Sequence, residues 1–237
     1  MGRVIINCDL GEDEGDLQTE ALLGYVDAAN IACGVHAGNE AKTAKTLQSA
    51  LSKGLMIGAH PGLAVSGGRG EILPDADAFA GLVKEQLGRF LDHADRCEAW
   101  VSYVKLHGSL YHLVEQSEPH AAAYIELLQN YASGFAVFAL AAGSFQKKAK
   151  DAGLKVWQEG FADRAYRRDG SLLPRTDPGA VLKHEEAFDR FKLWKETGEM
   201  KTVDGTSVPL PLDTICVHGD SPDSETLLAR MRELLSA

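Results

Sequence analysis

The sequence predicts an α/β fold, a seven-stranded (β/α) barrel, and three observations carry that prediction. Apolar runs of strand length alternate along the chain with stretches of helical periodicity, the pattern of a parallel sheet covered on its outside. Runs such as VIINC at 4–8 and TICV at 214–217 are apolar without alternation, as suits strands buried on both faces. Most runs end on an ionisable residue beside glycine: INCDLGE at 6–12, ANIACGVHAG at 29–38, MIGAHPG at 56–62, VKLHGS at 104–109, VWQEG at 156–160 and ICVHGD at 215–220. A closed barrel rings all such strand ends around one mouth, whereas an open sheet gathers only those near its switch point. The recurrence is architectural, and the chain has no sequence repeat of fixed period.

The elements follow in order. Val4 to Leu10 is a β-branched run ending near Asp9, followed by an acidic loop from Gly11 to Gly15 and helical spacing through Leu22, Leu23 and Val26. The ANIACG strand comes next. Asn39 then caps a helix whose apolar positions Ala41, Ala44, Leu47 and Leu51 share one face, and Gly54 closes it. Leu55 to His60 is the third strand, entering a glycine-rich loop, PGLAVSGGRGE, without periodicity. A longer helix from about Asp75 to Ala94 turns Phe79, Leu82, Val83, Leu87, Phe90 and Leu91 inward. Trp100 to His107 reads as the fourth strand with a tail SLYH, Ala121 to Tyr131 as helix and Phe135 to Leu140 as the fifth strand. Phe145 to Lys150 is a short helix, and Leu154 to Gln158 is the sixth strand. A long excursion at about 160–212 separates the sixth and seventh strands; it holds a helix around 185–196 and a hairpin signal at Asp204-Gly205. Thr214 to His218 is the seventh strand, Ser221-Pro222-Asp223 starts the last helix, and Leu227, Leu228, Met231 and Leu235 pack it. The expectation is one barrel domain over 1–237 with no linker.

Bulk properties bound the function. A chain of 237 residues closes a core without a metal or disulfide staple. Its 24 Lys and Arg against 34 Asp and Glu, a net charge of −10, argue against binding nucleic-acid phosphates or an anionic membrane. Cysteines 8, 33, 97 and 216 show no C-x-x-C spacing, and no run approaches the ~18 apolar residues of a membrane span or forms a signal peptide. A reduced, cytoplasmic setting is the simpler expectation. P-loop, G-x-S-x-G, H-E-x-x-H and G-x-G-x-x-G motifs are all absent.

A single histidine at a strand tip is ordinarily a hydrogen-bonded structural residue. Four of the eight histidines, His36, His60, His107 and His218, stand at equivalent tips near glycine, and that placement points to a site. His93, His120 and His184 fall in or near helices and read as surface residues, while the spacing leaves His112 open. Asp9 and Glu12 serve either as general base and acid or as caps of the first loop. Lys105, two residues before His107, points to the same side of its strand; inside a barrel such a lysine requires a carboxylate or an anionic substrate. Arg164, Arg167, Arg168 and Arg175 form either a solvated loop face or an anion site.

Read together, INCDLGE, ANIACGVHAG, GAHPG, KLHGSLYH, EGFADRAYRRDGSLLPR, PGA at 178–180 and ICVHGD resemble the LamB/YcsF family from about Val4 to the C-terminal helix. The resemblance implies a seven-stranded barrel related to glycoside hydrolases and deacetylases. It also implies the role of A subunit in an ATP-dependent 5-oxoprolinase, a hydrolase opening the 5-oxoproline lactam to L-glutamate with separate subunits B and C. ATP with Mg2+ would act in the assembled enzyme, with no tightly bound organic cofactor. By motif, the implied catalytic residues are Asp9, Glu12, His36, His60, Lys105, His107, Glu159 and His218. Asn30, Asp163, Arg164, Arg175 and Asp220 are implied for substrate binding. The chain departs from the family pattern at LAVSGGRGE, which keeps only Arg69 of the usual arginines, and at Asn39, Leu106 and His112, where Asp, Pro and Asn are usual. Two other readings stand beside this one: a metal-dependent deacetylase or amidohydrolase with Asp9, His36 and His60 as ligands, and a non-catalytic subunit that binds substrate.

Overall fold

The computed structural model describes residues 4–131, 134–220 and 223–236. Seven parallel strands close into a barrel in the order β1 (Ile5–Leu10), β2 (Ala28–Ala32), β3 (Met56–His60), β4 (Val101–Val104), β5 (Ala136–Leu140), β6 (Lys155–Phe161) and β9 (Thr214–His218), with β9 pairing β6 on one side and β1 on the other. Helices α1 (Asp16–Leu23), α2 (Glu40–Ser52), α3 (Ala76–Arg96), α4 (Gly108–Gln116), α5 (Glu118–Gln129), α6 (Ser144–Asp151), α7 (His184–Thr197) and α8 (Ser224–Ser236) accompany them. Every residue of β2, β5 and β9 is buried, the two-sided burial that explains their unbroken apolar runs.

Local chemistry sets the helix ends. The side chains of Asn39 and Asp75 accept the backbone N–H groups of Lys42 and Ala78 at 3.0 and 2.9 Å, starting α2 and α3. Gly198, at φ 76°, stops α7. The excursion contains α7 and a two-stranded antiparallel hairpin of β7 (Glu199–Lys201) and β8 (Ser207–Pro209), joined through Asp204-Gly205.

Two sequence-based boundaries and one buried face differ from expectation. The SLYH tail is the first turn of α4, entered through Gly108, whose φ of +52° suits glycine, and β4 ends at Val104. Strand β6 continues to Phe161, so Glu159 lies within the sheet. The buried face of α2 is Thr43, Thr46, Leu47 and Ala50, while Leu51 is exposed; Thr43 satisfies its hydroxyl on the Ala32 carbonyl at 2.7 Å, so a polar residue occupies the inner face. The expected start of the last helix at Ser221-Pro222 lies outside the described residues.

The barrel interior is apolar at the amino end of the strands and polar toward the mouth. Ala28, Tyr103, Ala136 and Phe138 form a separate cluster, with Ile5, Met56 and Trp157 against it. The rings of Tyr103 and Phe138 stack with centroids 3.9 Å apart. Gly58 makes room for them: a Cβ there would stand 2.1 Å from the Tyr103 ring. All four cysteines are free thiols, and no helix among the described residues is long and apolar enough to cross a membrane.

Candidate active site at the barrel mouth

Period-two geometry assembles the site. On β1, Asn7 and Asp9 share a side; Asp9 is in register with Asn30 of β2 and His218 of β9, and Asn30 with Gly58 of β3. Tyr103 and Lys105 project the same way from β4 and its extension, and β6 adds Glu159. Lys105, 2 % exposed, reaches across the interior: its Nζ lies 2.7 Å from Asp9 Oδ1, 3.1 Å from Glu159 Oε1 and 3.1 Å from Cys216 Sγ. Two carboxylates thereby flank one buried ammonium, which is how a lysine is retained inside a barrel. Beneath them the Asn30 amide donates to Asn7 Oδ1 and Asp9 Oδ1 at 2.6 and 2.7 Å and accepts from the Tyr103 hydroxyl at 2.6 Å, while Asn7 donates to Thr214 Oγ1 at 2.7 Å. This network fixes the Asp9 carboxylate.

Three histidines gather beside Asp9. His60 Nδ1 is 2.8 Å from the Lys105 carbonyl, and its Nε2 is 2.8 Å from His107 Nδ1 and 3.3 Å from Asp9 Oδ2. Glu12 Oε1 stands 3.2 Å from His36 Nε2 and 3.1 Å from His107 Nδ1. The rings of His36 and His107 stack at 4.1 Å and 16°. The PGLAVSGGRGE loop permits this packing: a Cβ at Gly62 would fall 2.5 Å from His36 Nδ1, and one at Gly68 2.5 Å from His107 Cδ2.

His218 stands apart from these three. Its Nδ1 donates to Asp163 at 2.9 Å, its backbone N–H donates to Asp163 Oδ2 at 3.1 Å, and its ring stacks on Phe161. It meets the others at a cavity of about 390 Å³ whose floor includes Asp9, His60, Lys105, His107 and His218. Arg69, Arg164, Arg167 and Arg175 line the same cavity and give its walls a positive charge despite the acidic chain.

Burial and neighbours split the carboxyls. Burial acts to raise the Asp9 pKa, but His60 and Lys105 outweigh it and hold the group well below the usual carboxylate range. Glu12 is likewise held low against burial by the neighbouring imidazoles of His107 and His36. Glu159 moves the other way, raised by burial, with Lys105 only partly offsetting it. For Lys105, burial opposes the charge, yet Asp9, Cys216 and Glu159 raise its pKa. Burial lowers His36, pushes His60 down to about 4 against the pull of Asp9, and pushes His112 down to about 4 with help from Arg164 and Arg69.

The residues singled out by sequence are brought together unequally. Asp9, His36, His60, Lys105, His107 and Glu159 form one buried cluster with the half-buried Glu12 against it, Asn30 lies beneath, and His218, backed by Asp163, lines the same cavity. As a metal ligand set, the structure groups Glu12 and His107 with His36 and His60, whereas Asp9 is engaged by Lys105 and Asn30. Arg164 lines the cavity but spends its Nε and Nη2 on the carbonyls of Ala180 and Leu173 at 3.3 and 2.7 Å, holding the excursion in place. Arg175 and Asp220 pair with each other at 3.0 Å on the rim. Sequence reasoning passed over Asn7, Tyr103 and Cys216 and left His112 open. The first two were detectable as polar residues two positions before Asp9 and Lys105 on the same strand side. The departures Leu106 and His112 both line the cavity.

Residues 4–237 match the LamB/YcsF family. A Mycobacterium marinum protein named as the A subunit of 5-oxoprolinase is 38% identical over 243 residues, covering 100% of this chain and 96% of that one. The crystal structure of a lactam utilization protein from Thermus thermophilus superposes with a TM-score of 0.88 at 30% identity, covering 99% of this chain and 96% of that chain. A Bdellovibrio bacteriovorus peptidoglycan deacetylase, 13% identical with a TM-score of 0.51 over 100% of this chain and 50% of its own, shares the fold alone. With the match spanning every barrel strand and the strand tips that form the site, this chain belongs to the LamB/YcsF family.

Proposed function

We propose that this chain is the A subunit of a 5-oxoprolinase, a hydrolase that opens the 5-oxoproline lactam to L-glutamate with ATP as co-substrate and with subunits B and C as partners. One observation carries the reading: Asp9 with Lys105, and His218 backed by Asp163, face a single cavity walled by arginines. The names of its relatives, the A subunit of a 5-oxoprolinase and a lactam utilization protein, agree with that chemistry.

An unstrained five-membered lactam resists water, and transfer of a phosphoryl group to its amide oxygen makes the ring carbon attackable. This chain has no P-loop, so ATP, with its Mg2+, is held in the assembled enzyme by some other arrangement. The cavity arginines suit both the substrate carboxylate and the phosphorylated oxygen. Asp9, held ionised, takes a proton from the attacking water. The C–N bond breaks, and the ring nitrogen leaves as an amine with a proton delivered through His218, whose Nδ1 is anchored on Asp163. A second water releases phosphate, so ATP ends as ADP and phosphate. Lys105 holds Asp9 in place and offsets negative charge that develops beside it.

The test is co-expression with both partner subunits and assay with ATP and 5-oxoproline. Glutamate and ADP are expected in equal amounts, with glutamate abolished by His107→Ala. Absence of turnover in the intact complex, or glutamate release that ignores ATP, refutes the reading. The clustering of Glu12 with three histidines favours a second reading, a metal-dependent amidohydrolase. ATP-independent amide hydrolysis by the isolated chain would support that reading.

A further inference from the structure

We propose that Glu12, His36, His60 and His107 bind one divalent transition-metal ion of the zinc class at the edge of the cavity floor. One ligand atom from each lies within 4.8 Å of the other three. Hydrogen-bond polarity carries the argument further. His60 Nδ1 faces the Lys105 carbonyl at 2.8 Å, and a carbonyl only accepts, so the proton sits on Nδ1 and Nε2 presents a lone pair. His107 Nε2 faces the Gly67 carbonyl at 3.2 Å, and the same logic leaves a lone pair on its Nδ1. Those two lone-pair nitrogens point at each other across 2.8 Å. Glu12 Oε1 stands 3.1 Å from His107 Nδ1, 3.8 Å from His60 Nε2 and 3.2 Å from His36 Nε2.

Electron-rich atoms this close repel unless a positive centre lies among them. An added proton relieves one pair; an ion relieves all four. Two nitrogens each ~2.1 Å from a tetrahedral ion are themselves ~3.4 Å apart, so the pair at 2.8 Å need open by only about half an ångström to admit one. The outer N–H groups of His60 and His107, each donated to a backbone carbonyl, repeat the outer hydrogen bonding that orients metal-bound imidazoles. Three imidazoles with one carboxylate select zinc, cobalt or nickel over magnesium or calcium. Asp9 stands between this cluster and the Lys105 ammonium, with one oxygen 3.3 Å from His60 Nε2 and the other 2.7 Å from Nζ. Because His60 and His107 also line the cavity, an ion held there borders the reacting groups, where it would acidify water or polarise the lactam oxygen. That use rests on the proposed function; the binding does not.

The experiment strips the purified full chain with chelator and titrates it with Zn2+ or Co2+ alone, following heat and the Co2+ visible spectrum. One equivalent is expected to bind, with affinity weakened ~100-fold or more by Glu12→Gln and by His107→Gln and unchanged by His218→Gln, which lies in a separate group with Asp9 and Cys216. X-ray absorption on the zinc-loaded wild type, expected to show a shell of nitrogen and oxygen only, keeps the test decisive if a variant fails to fold. No stoichiometric binding by folded wild type, binding indifferent to the two substitutions, or sulfur in the zinc shell overturns the proposal. ATP-coupled turnover by a complex free of transition metal would sink the ion's catalytic use and leave the proposed function standing; stoichiometric zinc without turnover would leave the site standing and sink the proposed function.

Discussion

Replacing Lys105 with methionine tests the arrangement on which the interior depends. The side chain keeps its length and apolar stem but loses the charge that Asp9 and Glu159 share at 2.7 and 3.1 Å. At an effective dielectric of ~20 those separations correspond to roughly 6 and 5 kcal/mol of gross attraction. Desolvation offsets much of this, and removing one partner of a buried ion pair typically costs about 3–5 kcal/mol because the remaining charge is stranded. For a chain of this size that is a fall in melting temperature of roughly 6–20 °C. The pH dependence gives a sharper readout. In the wild type Asp9 is held low, so its contribution is present above the unfolded carboxyl pKa of ~4 and lost as pH falls further; Lys105 is raised, so its contribution is present below ~10.4 and lost as pH climbs above that. Without the ammonium, both carboxyl pKa values rise in the folded state, and Lys105→Met should gain more stability than the wild type as pH falls from 8 to 5, since in the wild type only Glu159 of the two is raised. Adding Glu159→Gln should restore part of the loss. Denaturant melts of the wild type and these variants across that range measure the effect, and a Lys105→Met melt matching wild type at every pH refutes the role given to Lys105.

Other expectations follow from the same geometry. Tyr103→Phe removes the hydroxyl donated to Asn30 and should lower the unfolding free energy by about 1–2 kcal/mol in urea; an unchanged midpoint would show that Asn30 does not need it. Gly58→Ala places a methyl on the Tyr103 ring and should cost about 1–3 kcal/mol, with much of the loss recovered by adding Tyr103→Leu. His218→Ala in the assembled enzyme should reduce turnover on the order of 100-fold at saturating 5-oxoproline, and full activity would remove it from the proton path. His112, with its folded pKa lowered to about 4, binds fewer protons folded than unfolded, so stability falls as pH drops from ~6.5 to 4. His112→Asn should flatten part of that slope, and an identical slope would mean that the imidazole titrates normally.

The barrel and its tips were legible because their signals are local. Two-sided burial writes itself as unbroken apolar runs, and a strand tip beside glycine announces where side chains leave the sheet for the mouth. Loop and helix detail was less legible: α4 hides behind Gly108 and a histidine, and the buried face of α2 carries threonines, one of which satisfies its hydroxyl on a backbone carbonyl. The loop carrying Gly62 and Gly68 has no periodicity, so nothing in its pattern shows that it seats two imidazoles.

The order of the strands, their burial on both faces and the polar residues at their tips were determined by the sequence alone, since each depends on neighbours a few positions away. Which of those residues meet was decided only by tertiary structure. Lys105 finds Asp9 across 96 residues because β9 closes the ring between β6 and β1. Glu12 joins the histidines rather than capping its own loop, a function Glu14 takes by accepting the N–H groups of Gly11 and Glu12. Arg164 both lines the cavity and clamps the excursion, because two carbonyls accept its Nε and Nη2. Pairings of this kind are set by barrel closure and register, and no local pattern encodes either.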